Sequence, residues 1–527
     1  MKKWVFLIAC VAAADTYPRQ VGVDAQHYVF RVTLSDESDE ISGEATADLL
    51  FTKDGVSEVA LDLAAGMTVT RVTGAGGETL QSAHRGDRLV VQLPAPSKTG
   101  EHGNFTVAYH GTPAIFRPAA GLVIGLDKFK ERTFFSLNWP DRARQWLPLI
   151  DHPYDKATSE FLITAPSRYQ VVANGLLVEE TDLGDGRRLT HWKQSVPIAS
   201  WLNAIGVDQF ATHFAGTVRG IPLETWVHHQ DRDNGIASFE GPARQALEFY
   251  IDHIGPFPYE KLANVESPGL GGGTEHASAI FYGENSVQNR PATALVAHEI
   301  AHQWFGDSVT EKDWDDVWLS EGFATYFTLL CTEHYEGREA LVAGLKRSRD
   351  TVFRTEKQLP NEAVIHDNLT DTGKVLNQLV YQKGAWALHM LRGQIGTERF
   401  WTGIREYYRR FRDRNASTDD LRKVMEEAAG TDLEWFFTQW LRRAGSPVLD
   451  GWWHYNAAIK KVEISLGQTQ PGEAYRLPME VSVGAKIERI ELTARQQKFE
   501  LSAAEEPAAV TLDPNTWLLM DAHFVKR

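Results

Sequence analysis

The sequence predicts a multidomain α+β chain in which a β-sheet domain, a mixed and mainly helical domain and a small β-sandwich follow one another. Three observations lead there. Apolar and polar residues alternate between glycine-rich turns over residues 20–206, helical spacing dominates 207–443 after a short mixed opening, and strand patterning returns from 445 onward. At 527 residues the chain is also too long for a single core. The expected boundaries are 15–206, 207–443 and 444–527, behind a separate segment 1–14.

That first segment, "MKKWVFLIACVAAA", has a basic start, a short apolar run and small residues, the layout of an export signal. Within it "LIAC" resembles a lipoprotein box, which would acylate Cys10. The expected location is therefore periplasmic or extracellular, with a lipid anchor at Cys10 as one form, and cytoplasmic if the segment is not a signal. No other run reaches the roughly 20 apolar residues a membrane span needs. In the β domain, "HYVFRVTLS", "RLVVQLPA" and "FLITAP" read as strands, with turns at "GAGGE" and "GDGRR". In the C-terminal domain, "VEISLGQ", "MEVSVGA", "ERIELTA" and "VTLD" do the same.

Composition removes several function classes. A net charge of −16, from 54 Lys and Arg against 70 Asp and Glu, lacks the basic footprint of a nucleic-acid binder. Two cysteines, Cys10 and Cys331, make neither a disulfide framework nor a thiol mechanism, and Cys331 reads as a small buried residue. The 16 tryptophans are scattered, as core residues are. His228 and His229 in "WVHHQD" have no neighbour at ligand spacing and read as surface or packing residues.

The stretch "ALVAHEIAHQWFGDSVT" (294–310) carries the chemistry. His298 and His302, four apart, share one helix face, with Glu299 flanking it. Asn289 is placed to cap that helix, Pro291 fits its first turn and Gly306 its stop. Leu295, Val296, Ile300 and Ala301 cover the packing sides. A catalytic zinc takes three protein ligands and leaves a fourth position open. Glu321 lies 19 residues beyond His302 in "WLSEGFATYFTLL", where Leu319, Phe323, Phe327 and Leu330 recur at helical spacing. A second helix packed on the first would complete a site of two histidines and a carboxylate; otherwise Glu321 is a solvated acid near a helix start.

These residues resemble the aminopeptidase N family of zinc metallopeptidases, which includes the leukotriene hydrolases. "GGGTEHASAIFYGENSV" (271–287) is similar to the family's exopeptidase loop, G-x-M-E-N, and "YQKGAWALHML" (381–391) to the segment with its catalytic tyrosine. "ARQWLPLIDHPYDKATSEFLITAP" (143–166) resembles the signature of its N-terminal domain, and "FFTQWLRRAGSPVL" (436–449) the close of its catalytic domain. The resemblance implies a saddle-like N-terminal sheet domain, a thermolysin-like catalytic domain and a C-terminal β-sandwich. It also implies a short form without the family's frequent fourth, helical domain.

By the same resemblance, one zinc ion per chain is held by His298, His302 and Glu321. Glu299 is the general base and Tyr381 the donor to the developing oxyanion, although by itself Tyr381 reads as a helix-surface tyrosine. Gly272, Gly273, Thr274 and Glu275 bind substrate: the glycines let backbone pass close to an extended peptide, and Glu275 takes the free N-terminal amine. The implied activity is that of a zinc aminopeptidase on peptides with a free N-terminus. Departures are Thr274 where methionine is usual, His276 where asparagine is usual, and Leu137, Asn138 and Trp139 in "SLNWPDRAR" where the family often has an acid or amide. A second acidic anchor is thus not expected. A zinc endopeptidase of thermolysin-like type and a catalytically silent peptide-binding relative are the rival readings. The sequence leaves the oligomeric state and the preferred N-terminal residue open.

Overall fold

A computed structural model describes residues 15–527 apart from Arg117 and Ala119. The export-signal and Cys10 readings lie outside the described residues. Strict alternation makes the first layer. In the strand Lys156–Pro166, Ala157, Ser159, Phe161, Ile163 and Ala165 are buried and the intervening residues are not. This strand runs parallel to Val23–Thr33 with His27 opposite Thr158, at the middle of a seven-stranded sheet. A four-stranded sheet, in the order 170–173, 205–208, 132–137, 121–126, and a three-stranded one complete the unit. Phe30, Phe161 and Trp146 fill the core beneath them.

The second unit opens on a five-stranded sheet ordered Phe210–Val218, Ile221–His228, Leu262–Ser267, Ala279–Gly283 and Gly273–Thr274. Its middle strand is buried at every residue and parallel to both neighbours, so it carries no polar-out alternation. Helices α1 (Arg232–His253), α2 (Thr293–His302), α3 (Trp318–Glu336), α4 (Arg338–Gln358) and α5 (Gly384–Ile395) pack beside it. Leu319, Phe323, Phe327 and Leu330 of α3 all face this core.

Helix α2 corrects the expected caps. It starts at Thr293 after Ala292, so neither Asn289 nor Pro291 belongs to it. The incoming chain is tied to α1 instead: the Ala292 N–H donates to the Ser238 carbonyl (2.9 Å) and the Gln288 N–H to Ser238 Oγ (2.8 Å). A tertiary anchor has displaced the local cap signal. At the other end α2 stops at His302, and Gly306 lies in the turn beyond.

The last unit packs a four-stranded sheet, 496–502, 461–468, 448–456, 521–526, against a three-stranded one, 486–492, 477–483, 510–512. Val462, Ile464 and Leu466 meet Leu477, Met479 and Val481 in its interior. No helix among the described residues is long and apolar enough to cross a membrane. Cys331 is buried on α3, and burial pushes its thiol up to about 12.

Candidate active site

Helix α2 stacks His298 and His302 one turn apart, and α3 brings Glu321 to the same point. The nitrogens His298 Nε2 and His302 Nε2 are 3.1 Å apart, and Glu321 Oε2 lies 3.4 and 3.3 Å from them. Tetrahedral zinc with bonds near 2.0–2.1 Å needs ligand atoms about 3.3 Å apart, so this triangle fits the ion. Two further observations agree. Glu321 Oε2 is buried without a hydrogen-bond partner. Three buried carboxylates, Glu275, Glu299 and Glu321, face only two imidazoles, an excess of negative charge that a cation would neutralise.

The triangle is held from behind. His302 Nδ1 meets Ser320 Oγ at 3.0 Å and the Phe305 carbonyl at 3.3 Å, which fixes the ring with Nε2 toward the triangle. Ser320 reaches it because position 306 is glycine: φ is +115°, and a Cβ there would meet Ser320 Oγ at 2.2 Å. Burial raises Glu321, but His302 and His298 beside it pull its carboxyl down to about 2. It is therefore an anion at the point where a ligand must be one.

The loop 271–276 closes over this triangle. Its short strand Gly273–Thr274 pairs antiparallel with Phe281 and Tyr282, and the Gly283 N–H donates to the Gly272 carbonyl at 2.7 Å. Glu275 is buried, and its carboxyl lies within 4.8 Å of Glu299 and of His302. Burial raises both Glu275 and Glu299; for Glu299, Glu275 adds to the rise. At Gly272 a Cβ would meet nothing within 4 Å, whereas at Gly273 it would lie 2.4 Å from the Glu299 carboxyl carbon. The glycine at 273 thus makes room for Glu299. Replacing Gly273 by alanine should displace that carboxylate and lower kcat about tenfold or more, with metal content unchanged. Steady-state kinetics beside metal analysis checks it, and an unaltered kcat counts against the contact.

Gln303, which the motif reading passed over, joins the two pieces. Its Nε2 donates to the Glu275 carbonyl (3.0 Å) and to Asp307 (2.7 Å), and its Oε1 accepts from the Ser278 N–H (2.8 Å). A lone amide in an apolar run was the available signal. Tyr381 comes from a π-helical turn, Leu379–Lys383, leading into α5. Its hydroxyl donates to Glu321 Oε1 at 2.8 Å, and its ring lies parallel to His298 at 6.2 Å between centroids. It is thus a half-buried neighbour of the ligands, not a helix-surface residue. Burial, then Glu321, keep its phenol protonated well past the usual range.

Two of the departures, Asn138 and His276, have structural accounts. The Asn138 amide is used inside the fold, donating to the Asn203 carbonyl (2.6 Å) and accepting from Trp146 (2.9 Å). His276 is buried edge-on to Phe281, 4.7 Å between ring centroids, with neither ring nitrogen hydrogen-bonded. Burial alone drops it from 6.5 to about 3. The unfolded chain takes up this proton near pH 6.5 and the folded chain only near pH 3. The stability held by the neutral ring is therefore whole above pH 6.5 and is lost as pH falls toward 3. Between pH 7 and pH 5 the wild type should lose about 2 kcal/mol more than His276→Asn, read from urea unfolding midpoints. Equal losses would show that His276 titrates normally.

Of the two readings of His228, surface or packing, the fold takes the second. It is buried with Nδ1 2.5 Å from Asp208, because the hairpin of strands 210–218 and 221–228 sets Phe210 opposite His228. His229 is half exposed, at 50% for its side chain.

Residues 24–202 match the Peptidase M1 N-terminal domain and residues 244–440 the Peptidase family M1 domain. The chain is 30% identical over 326 residues to a glutamyl aminopeptidase of Bitis rhinoceros, covering 59% of this chain and 34% of that protein. It is 27% identical over 347 residues to the tricorn protease-interacting factor F2 of Thermoplasma volcanium, covering 62% of this chain and 42% of that one. These matches span well under half the length of the curated relatives. Among solved structures, the M1 zinc metallopeptidase of Deinococcus radiodurans superposes with a TM-score of 0.69 at 28% identity, covering 80% of this chain and 94% of that one. A mutant of that enzyme bound to a Tyr-Ser-Ala substrate gives 0.69 at 27%, over 81% and 96%. With both domain matches in sequence order around a fitting metal triangle, the chain belongs to peptidase family M1.

Proposed function

We propose that this protein is a zinc aminopeptidase that removes the N-terminal residue from peptides. The observation that carries the reading is the position of Glu275, a buried carboxylate within 4.8 Å of both Glu299 and the metal-facing His302. A free α-amine and the first carbonyl carbon are two bonds apart, about 2.5 Å. An ammonium held by Glu275 therefore sets the first peptide bond, and no later one, beside Glu299. An internal peptide segment would bring no cation and leave Glu275 buried without a partner, which disfavours an endopeptidase.

His298, His302 and Glu321 would hold the zinc, which when bound supplies a Lewis acid for the scissile carbonyl and for the attacking water. Glu299 takes the proton of that water on its carboxylate and returns it to the leaving amine. Burial and the Glu275 charge, which raise its proton affinity, suit a group that must hold the proton between those steps. Tyr381 donates its hydroxyl to the carbonyl oxygen as charge develops there. The basic and apolar start of the sequence supports export of the protein.

The test compares aminoacyl amides with and without an N-acetyl group, in the wild type and in Glu275→Ala. Acetylation should abolish most wild-type turnover, and Glu275→Ala should lower kcat/KM for the free amine about tenfold or more without loss of metal. Comparable wild-type rates on free and acetylated substrates would refute the exopeptidase reading.

A further inference from the structure

A second group of ligand-type residues sits at the seam between the N-terminal sheets and the catalytic sheet, built from Asp127, Asp208 and His228, all buried. Each carboxylate is anchored through one oxygen. Asp127 Oδ1 accepts from the backbone N–H groups of Phe129 and Glu131, both at 2.8 Å, and Asp208 Oδ1 from that of Gln209 at 2.6 Å. The other oxygens converge on one atom: Asp127 Oδ2 is 3.6 Å and Asp208 Oδ2 2.5 Å from His228 Nδ1. The three donor atoms lie within 4.8 Å of one another.

Two observations separate this from an ordinary acidic cluster. Asp127 Oδ2 is buried and has no hydrogen-bond partner, although it points into the group. The far nitrogen of His228, Nε2, is buried without a hydrogen bond and faces Glu284 Oε1 at 3.4 Å and Glu266 Oε1 at 3.9 Å. An imidazole that ligates a metal through one nitrogen commonly turns the other toward a carboxylate, and this ring is so placed. The nearby ammonium of Lys128 is already taken by Glu266 and Asp231. Asp127 and Asp208 are left facing a single imidazole in a buried place, where uncompensated negative charge is costly.

We propose that Asp127, Asp208 and His228 form a second divalent-cation site. One imidazole and two carboxylates suit an ion of the zinc or manganese type. Binding would part Asp208 and His228 to about 3.3 Å, the spacing of ligands around such an ion. The ion would pin the turn after strand 121–126 to the ends of strands 205–208 and 221–228 and so lock the seam. The competing occupant is a proton on His228 Nδ1, shared with Asp208.

Metal counting distinguishes the two and does not depend on peptidase activity. The full chain is stripped with chelator, equilibrated with micromolar Zn²⁺ and analysed for bound metal. Two equivalents are expected in the wild type and one in H298A/H302A, whose catalytic triangle is gone. One equivalent, not two, is expected in Asp127→Asn and in Asp208→Asn. A wild type that takes up a single equivalent, or Asp127→Asn and Asp208→Asn chains that keep two, overturns the proposal.

Discussion

Glu299→Gln is expected to keep its full metal complement while turnover falls between about 10²- and 10⁴-fold. The amide keeps the shape of the carboxylate beside Gly273 but can no longer accept a proton. Glu299 is not a member of the donor triangle, whose atoms belong to His298, His302 and Glu321. Glu321→Ala should behave in the opposite way, losing metal first and activity as a consequence, because it removes one of three ligands. Metal analysis and kcat measured on the same preparations separate the two outcomes. A Glu299→Gln protein with near-normal turnover would remove this residue from proton transfer, and full occupancy in Glu321→Ala would mean the third ligand is another group.

Tyr381→Phe should lower kcat by about 3 kcal/mol of barrier, roughly 150-fold, with KM changed little. The split follows from when the hydroxyl acts. In the resting site it is bonded to Glu321 Oε1, so it need not contribute to ground-state binding. As the carbonyl oxygen gains charge, a protonated donor held beside the ligands becomes worth most. The phenol stays protonated because burial and Glu321 raise its pKa. A variant with a raised KM and unchanged kcat would give Tyr381 a role in binding alone, and one that loses metal would make it chiefly a support for Glu321.

The metal triangle was legible because it obeys local geometry. Two histidines one helical turn apart and an apolar pattern around Glu321 are properties of short segments, and packing the two segments adds only one contact. The roles of Glu275 and Tyr381 could be given only by resemblance, since neither has a spacing that distinguishes it. The start of α2 was misread for a physical reason: Asn289 and Pro291 satisfy the rules of an isolated helix, but Ser238 of α1 holds the incoming backbone elsewhere. Gln303 and the Asp127, Asp208 and His228 group were not legible, because their partners lie on other elements. Asp208 and His228, 20 residues apart, meet because strand 210–218 folds back antiparallel on 221–228 and sets Phe210, two residues past Asp208, opposite His228.

The amide bridge of Gln303 turns the site into a ruler. It couples the carbonyl of Glu275 to the end of α2, just past His302, while Gly273 rests against Glu299. These contacts hold amine anchor, proton acceptor and metal-facing histidine at a set spacing. On the aminopeptidase reading, the enzyme measures in backbone atoms. A peptide that begins with a β-amino acid carries one more methylene between amine and carbonyl, about 1.5 Å, and presents its first amide bond out of register. Such a chain would occupy the anchor without reacting, so the same spacing that selects the first bond makes a backbone-extended peptide an inhibitor.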